Sequence, residues 1–324
     1  MPAGAASFVK SFDQVFSRGY LKLFRERNSL ICLLFHGLLS REDDVRLNQA
    51  DPQQRMTVGH FRRIVDYFLD KGYEIVSPVD VLEGLDSDKK YVLITFDDGY
   101  YGSVLALPVL NEFKVPATFF ISTNFVKHNK CFWWDVLWRE RIKSGMAGDA
   151  IHRETEQLKS RTNSGIEKLL MTEFGEDSFR PLGDLDRPMT VSELKEFSRE
   201  SMVFLGNHTL DHAILTNYSA DAAASQINDS QKAIFEMTGE KPVAIAYPSG
   251  NYSDDIIRIA KDAGLRLGIT IEPRKNYLPL DLAGNEGMRL GRFALMGDRK
   301  LEPQLAYSRS DVTLRRLVRR IRHR

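Results

Sequence analysis

The feature that most constrains this chain is the run Tyr91-Val92-Leu93-Ile94-Thr95-Phe96, which ends in Asp97-Asp98-Gly99-Tyr100. An apolar, β-branched run of this length, bounded by a glycine, reads as a buried strand. Two adjacent carboxylates at its end build no core. They do place acids at the carboxyl end of a strand, where α/β enzymes carry out their chemistry. Roughly a hundred residues further on, Asn207-His208-Thr209-Leu210-Asp211-His212 supplies two imidazoles with three residues between them. Two histidines and one carboxylate make a usual ligand set for a catalytic Zn²⁺ with an open position, and a second carboxylate is then free to act as a base on water.

The rest of the chain alternates strand and helix signals. Ser29–Leu39 reads as a strand that carries His36-Gly37. Phe61, Ile64, Val65, Phe68 and Leu69 lie at helical spacing, and Gly72 follows the last turn. A short strand at Glu74–Val76 and a helix from Pro78 to Leu85 precede the Asp-Asp strand. A helix around Leu105–Phe113 and a strand at Ala117–Ser122 follow it. Residues 125–188 break the rhythm with Phe132-Trp133-Trp134 and Trp138 and then a polar, helical stretch, read as an insertion over one end of a barrel. Thr190-Val191-Ser192-Glu193 is a capping-box pattern that restarts a helix. Strands at Val203–Leu205, Val243–Tyr247 and Leu267–Thr270 alternate with helices at Ala222–Met237 and Asp254–Ala263. This order predicts an α/β fold of parallel βαβ units.

Composition narrows the function. A hydrophobic content of 43% over 324 residues supports a sizeable core, and a net charge of +1 gives no support to nucleic-acid binding. Cys32 and Cys131 are far apart and flanked by apolar residues, so they read as buried free thiols. No stretch is long and apolar enough to span a membrane. The N-terminal residues lack the layout of a secretory signal, which makes a cytoplasmic location the expectation.

Each half of the pair has a plainer reading. Asp97-Asp98 alone could cap a helix, and His208 and His212 alone could be a satisfied pair on a loop. Jointly they lie at the carboxyl ends of two strands, and in a parallel barrel those ends converge on one face.

On these residues the chain resembles a family. Thr95-Phe96-Asp97-Asp98-Gly99 is similar to the first motif of the polysaccharide deacetylases of carbohydrate esterase family 4, and His208-Thr209-Leu210-Asp211-His212 to their second. Pro116-Ala117-Thr118-Phe119-Phe120 resembles the strand after the first motif. The resemblance runs from about residue 30 to 295. It implies a distorted (β/α) barrel of parallel strands with a helical insertion. It also implies that Asp98, His208 and His212 hold a divalent metal, with Zn²⁺ the first choice, and that Asp97 is the general base. Thr209 would brace the loop between the two histidines.

Two departures from the common family pattern refine this expectation. Ala246-Tyr247-Pro248-Ser249-Gly250 replaces the usual Arg-x-Pro-Tyr, so the arginine that orients the base is missing. This form resembles the branch of exopolysaccharide poly-N-acetylglucosamine deacetylases. The resemblance places the backbone N–H of Ser249 at the oxyanion, and Arg292 or Arg289 replaces the guanidinium, with Arg292 preferred. The usual late histidine is also absent, since only His323 follows His212. In the same branch that histidine comes from an N-terminal strand, which makes His36 the expected general acid. A buried structural histidine is the plainer alternative.

Trp133, Trp134 and Trp138 read as anchors of the insertion rather than a sugar-stacking wall. Leu314, Leu317, Val318 and Ile321, amid six arginines, form a basic amphipathic pattern suited to an anionic membrane surface or to a solvated tail. The expected organisation is an N-terminal segment 1–28, a catalytic domain 29–300 and a basic tail 301–324. The expected activity is metal-dependent removal of N-acetyl groups from an amino-sugar glycan or glycan precursor. An O-acetyl esterase or non-sugar amidase on the same scaffold, or a non-catalytic glycan-binding protein, are the alternatives.

Overall fold

Alternation of side chains along parallel strands decides the architecture. The computed structural model describes residues 16–312. Its strands are β1 (Ser29–Phe35), β2 (Glu74–Ile75), β3 (Tyr91–Phe96), β4 (Ala117–Ile121), β5 (Val203–Asn207), β6 (Ala244–Ala246), β7 (Leu267–Ile269), β8 (Asn276–Tyr277) and β9 (Arg292–Ala294). The main path runs β7-β6-β5-β4-β3-β1-β8. Its pairs are parallel except β1–β8, while β2 pairs with the start of β3 and β9 with the middle of β1. The ring draws closed where Leu290, just before β9, bridges Ile269 of β7 in parallel sense. Leu290 N–H donates to Gly268 O at 2.8 Å, and Thr270 N–H donates to Leu290 O at 2.9 Å. The result is the distorted (β/α) barrel that the strand–helix order and the family resemblance implied.

The two faces of each strand enter different cores. Leu30, Cys32, Tyr91, Leu93, Phe120 and Ile269 pack together inside the barrel. Ile31, Leu33, Phe35, Val92, Ile94 and Phe96 pack outward, against Phe61, Ile64, Val65 and Phe68 of the helix Val58–Asp70. That helix is capped by Thr57, whose Oγ1 accepts the His60 N–H at 3.2 Å. Because side chains alternate with period two, one further step past β1 and β3 carries His36 and Asp97 to the inner face at the carboxyl end. Parallel register, with Phe35 opposite Phe96, sets them level. Gly206 does the same for His208, the residue after β5. A Cβ there would lie 2.2 Å from the Phe120 ring, so glycine lets Phe120 fill the barrel beneath the site.

Several expected boundaries move for local reasons. β1 ends at Phe35 rather than Leu39, because Leu38 and Leu39 donate instead to Gly102 O and Met56 O. The helix expected around Leu105 begins at Leu107, with Pro108 in its first turn, after a 3₁₀ stretch Tyr101–Ala106. The predicted capping box holds, with Thr190 N–H donating to Glu193 Oε2 at 2.7 Å.

The insertion has its own core. The helices Trp133–Lys143, Gly148–Leu158 and Asn163–Phe174 bury Phe132, Trp133, Trp134, Trp138, Ile151 and Leu170 in one cluster. Cys32 and Cys131 are buried free thiols.

The sequence reading placed residue 301 at the start of a tail. The helix Leu301–Arg309 instead packs Leu301 and Leu305 into the main core. It is tied back to the start of the domain through Glu26, which accepts from Arg309, Lys90 and the Tyr73 hydroxyl at 2.6–3.0 Å. Lys275 adds a second latch by donating to Arg27 O, Arg309 O and Asp311. The basic pattern Leu314–Ile321 lies outside the described residues, as does most of the N-terminal segment, and membrane contact gains no support. Among the described residues no helix is long and apolar enough to cross a membrane.

Candidate active site

Three loops leave the carboxyl ends of β3, β5 and β6, and each bends through an unusual backbone conformation. Asp98, Thr209, His212 and Ser249 all have positive φ, between 52° and 76°. Non-glycine residues held there cost about 1–3 kcal/mol each and persist only where the surroundings over-determine them. The determinants are visible. Asn207 Oδ1 accepts the Thr209 N–H at 2.8 Å, while Thr209 Oγ1 accepts the Ala213 N–H at 2.7 Å. Thr209 therefore braces the turn that points His208 and His212 to one spot. Asp211, the acid inside the same motif, is turned away onto Asn124 and Gln226.

His208 Nε2 and His212 Nε2 lie 3.3 and 3.4 Å from Asp98 Oδ1. The ligand atoms of Asp98, His208 and His212 all lie within 4.8 Å of one another. Asp98 is 1% exposed, and among the described residues neither of its carboxylate oxygens receives a hydrogen bond. A buried carboxylate without donors is rare and costly unless a cation satisfies it. His208 Nδ1 lies 2.7 Å from Ala246 O, which makes Nδ1 the protonated nitrogen and leaves the Nε2 lone pair facing Asp98. This donor set fits a divalent metal. Burial alone would raise the Asp98 pKa, but the surrounding imidazoles outweigh it and hold the group at about 2. Burial pushes His212 down to about 3. For His208 burial also pulls downward, yet the two aspartates outweigh it and the net shift is upward.

Asp97 borders this cluster, with its Oδ2 3.9 Å from His208 Nε2, but is engaged by a different partner. Arg292 donates to both of its oxygens, at 2.7 and 2.6 Å, and also to Thr95 Oγ1 and Thr270 O. Burial would raise the Asp97 pKa, but Arg292 and His208 more than offset it, so the carboxyl titrates below its usual range. Between the two arginines considered, geometry chooses Arg292, which is 1% exposed on β9. Arg289 pairs instead with the exposed Asp254.

His36 lines the same cavity, with its Nε2 3.9 Å from Asp98 Oδ2. Its Nδ1 lies 2.9 Å from Gln54 Oε1, and Gln54 Nε2 is spent on Leu34 O and Leu295 O at 2.6 and 3.1 Å. The fixed amide makes His36 Nδ1 the donor and turns Nε2 to the cavity. Ser249 lies on the wall as well. Asp97, Asp98, His36, His208, His212 and Ser249 thus line the cavity and Arg292 holds a group that does, whereas Arg289 does neither.

The sequence reading missed Gln54, since no motif surrounds it, and the contact of Trp134 with the His208–His212 loop. Trp134 packs edge-on against His212 with ring centroids 4.6 Å apart. It is held there by the bonds from Trp134 Nε1 to Tyr100 and from Tyr100 to the buried Asp135, at 2.7 and 2.6 Å. Trp133 and Trp134 therefore anchor the insertion and also face the cavity, whereas Trp138 stays within the insertion.

With the geometry in place, the comparisons with known proteins are direct. The family model described as polysaccharide deacetylase matches residues 84–268. The Bacillus subtilis (strain 168) protein YxkH, itself assigned to the polysaccharide deacetylases, is 24% identical over 224 residues. That match covers 68% of this chain and 60% of YxkH, so the chain spans less than two thirds of its relative's length. The fold is similar to the Streptococcus pyogenes deacetylase PplD solved with acetate, with a TM-score of 0.56 and 20% identity over 88% of this chain and 100% of PplD. It is likewise similar to IcaB from Ammonifex degensii, with a TM-score of 0.57 and 18% identity over 88% of this chain and 99% of IcaB. A family model that covers more than half the sequence and spans both motif loops settles the family, and this chain belongs to the polysaccharide deacetylases.

Proposed function

We propose that this chain is a metal-dependent N-deacetylase that acts on an N-acetylated amino-sugar glycan or glycan precursor and releases acetate. The observation that carries the reading is the division of labour between adjacent carboxylates. Asp98 faces two imidazoles with no hydrogen-bond donor of its own, while Asp97 is clamped bidentately by a buried arginine. A binding module would have no use for that second, oriented carboxylate.

Asp98, His208 and His212 would hold the cation, with Zn²⁺ the first choice for this ligand set. A divalent cation bound there supplies a Lewis acid that polarises the acetamide carbonyl and acidifies the attacking water. Asp97 takes the proton from that water as it attacks, and Arg292 keeps the carboxylate ionised and aimed. The Ser249 backbone N–H stabilises the developing oxyanion. His36, steered by Gln54, gives a proton to the nitrogen as the C–N bond breaks. Water and acetamide are consumed, and acetate and the free amine are formed.

The test is acetate release from N-acetylglucosamine oligomers by the purified, Zn²⁺-loaded protein, beside Asp97→Asn and His36→Ala. Release by wild type that both substitutions abolish is the expected result. Release that survives Asp97→Asn overturns the mechanism, and release only from O-acetyl esters moves the chain to the esterase reading.

A further inference from the structure

The insertion brings positive charge to the wall of the catalytic cavity. The cavity has a volume of about 260 Å³, and its lining joins Asp97, Asp98 and His36 to Lys159, Arg161 and Asn163. The loop 159–163 is built rather than merely exposed. Asn217 Nδ2 donates to Lys159 O and Arg161 O, at 2.8 and 3.0 Å, and the Tyr218 hydroxyl accepts the Asn163 N–H at 2.9 Å. Both clamps come from the segment that follows the His208–His212 turn, at the end of the 3₁₀ stretch Leu215–Asn217, so the loop is fixed close in sequence to those histidines.

Within this loop Asn163 is 5% exposed, and its Oδ1 has no hydrogen-bond partner among the described residues. Donation from Nδ2 to Glu167 at 2.9 Å fixes the amide, so the unpartnered atom is the oxygen. Such an acceptor on a cavity wall awaits a donor. Arg161 has no ion-pair partner among the described residues, whereas Lys159 pairs with the exposed Glu156. An exposed pair of that kind is weak and exchangeable. The loop also forms the N-terminal cap of the helix Asn163–Phe174, whose dipole adds to the positive potential. Of the three acids on the same wall, Asp97 is engaged by Arg292 and Asp51 by the Gln53 N–H and His152, while Asp98 would be neutralised by the cation it shares with His208 and His212.

From this we infer that the loop 159–163 is a subsite for an anionic substituent. The substrate is then an N-acetylated sugar that carries a carboxylate or phosphate, held by Arg161 and Lys159, with one of its hydroxyl or N–H groups donating to Asn163 Oδ1. The inference rests on the deacetylase reading and narrows its substrate.

Acetate release is measured on a neutral N-acetylglucosamine trimer and on trimers carrying a C6 carboxylate, a C6 phosphate or a reducing-end phosphate, at low salt. Wild type is expected to favour an anionic trimer by at least ~10-fold in kcat/KM, mainly through KM, because a rim cation acts on encounter and binding. In the Lys159→Ala/Arg161→Ala double variant that ratio collapses toward one, and Arg161→Lys restores part of it. Preference for the carboxylate or for the phosphate trimers identifies the source of the charge. Equal use of neutral and anionic trimers by wild type, or a preference that survives the double variant, overturns the subsite. No release from any trimer by wild type overturns the deacetylase reading itself, and the subsite falls with it.

Discussion

Arg292 and Asp97 stand 195 positions apart in the chain, and both carboxylate oxygens of the aspartate are bound by the two terminal nitrogens of the arginine. The pairing is possible because β9 joins β1 with Arg292 opposite Cys32, which carries the guanidinium inside the barrel beneath the end of β3. Replacing Arg292 with Ala leaves a buried carboxylate unpaired. Loss of about 3–5 kcal/mol of stability is expected, together with a fall in kcat larger than any change in KM. Arg292→Lys should recover stability better than activity, because an ammonium does not reproduce the two-point fork. Urea unfolding alongside steady-state kinetics separates the two effects.

Gln54 is predicted to position His36. Gln54→Leu removes the acceptor at His36 Nδ1 and frees the imidazole to rotate or change tautomer. A fall in kcat of about 10–100-fold is expected, the range for partners that orient a site histidine, with KM and metal content little changed. Gln54→Glu keeps an acceptor at that nitrogen but loses the donor to Leu34 O and Leu295 O, so it should restore part of kcat at a cost in stability. Equal losses in the two variants would mark Gln54 as a packing residue only.

Metal should set the size of one substitution's effect. In metal-free protein, Asp98→Asn removes a carboxylate that the facing imidazoles hold ionised, so it should lower the melting temperature modestly. In wild type, Zn²⁺ stabilises by mass action, about 2.7 kcal/mol at a hundredfold excess over Kd, and Asp98→Asn should lose that gain. Calorimetry of chelated and Zn²⁺-loaded samples of both proteins reads this directly. A wild type whose melting is indifferent to every divalent metal would remove the basis of the site.

Gly206→Ala should be among the most damaging single-methyl additions. Its Cβ would meet the Phe120 ring within the barrel, under the strand that carries His208. Overpacking costs about 1–3 kcal/mol, and strand displacement would also shift His208. A Phe120→Leu change in the same chain should relieve part of the stability loss, which a double-mutant cycle would measure.

The latch around Glu26 makes a pH prediction. Burial alone would raise the pKa of this carboxyl, but Arg309, Tyr73 and Lys90 outweigh it and hold it at about 2 in the folded protein. The folded value lies below the unfolded one. The stabilisation is therefore complete above the unfolded pKa of about 4.3 and is lost as pH falls toward 2; its size is of the order of 3 kcal/mol. Glu26→Gln should flatten the acid limb of the stability curve between those values and lower the plateau at neutral pH. Unfolding midpoints from pH 2 to 7 check both.

What the sequence determined by itself was local. Periodicity marked the strands and the helix Val58–Asp70, because burial imposes spacing on neighbouring residues. The paired acids after β3 and the spaced histidines after β5 were legible for the same reason, since each set lies within one turn of chain. What the sequence left open were matters of contact between distant segments. It proposed two arginines for Asp97, and only closure of the barrel through Leu290 put Arg292 inside and turned Arg289 to Asp254. Gln54 belongs to no pattern, and it became visible only because its amide bridges β1, Leu295 and His36. The tryptophans were read as anchors, and the fold adds that Trp134 also braces His212. Spacing along one element is written in its own residues, whereas which side chain meets which across the barrel depends on how every strand between them twists and packs.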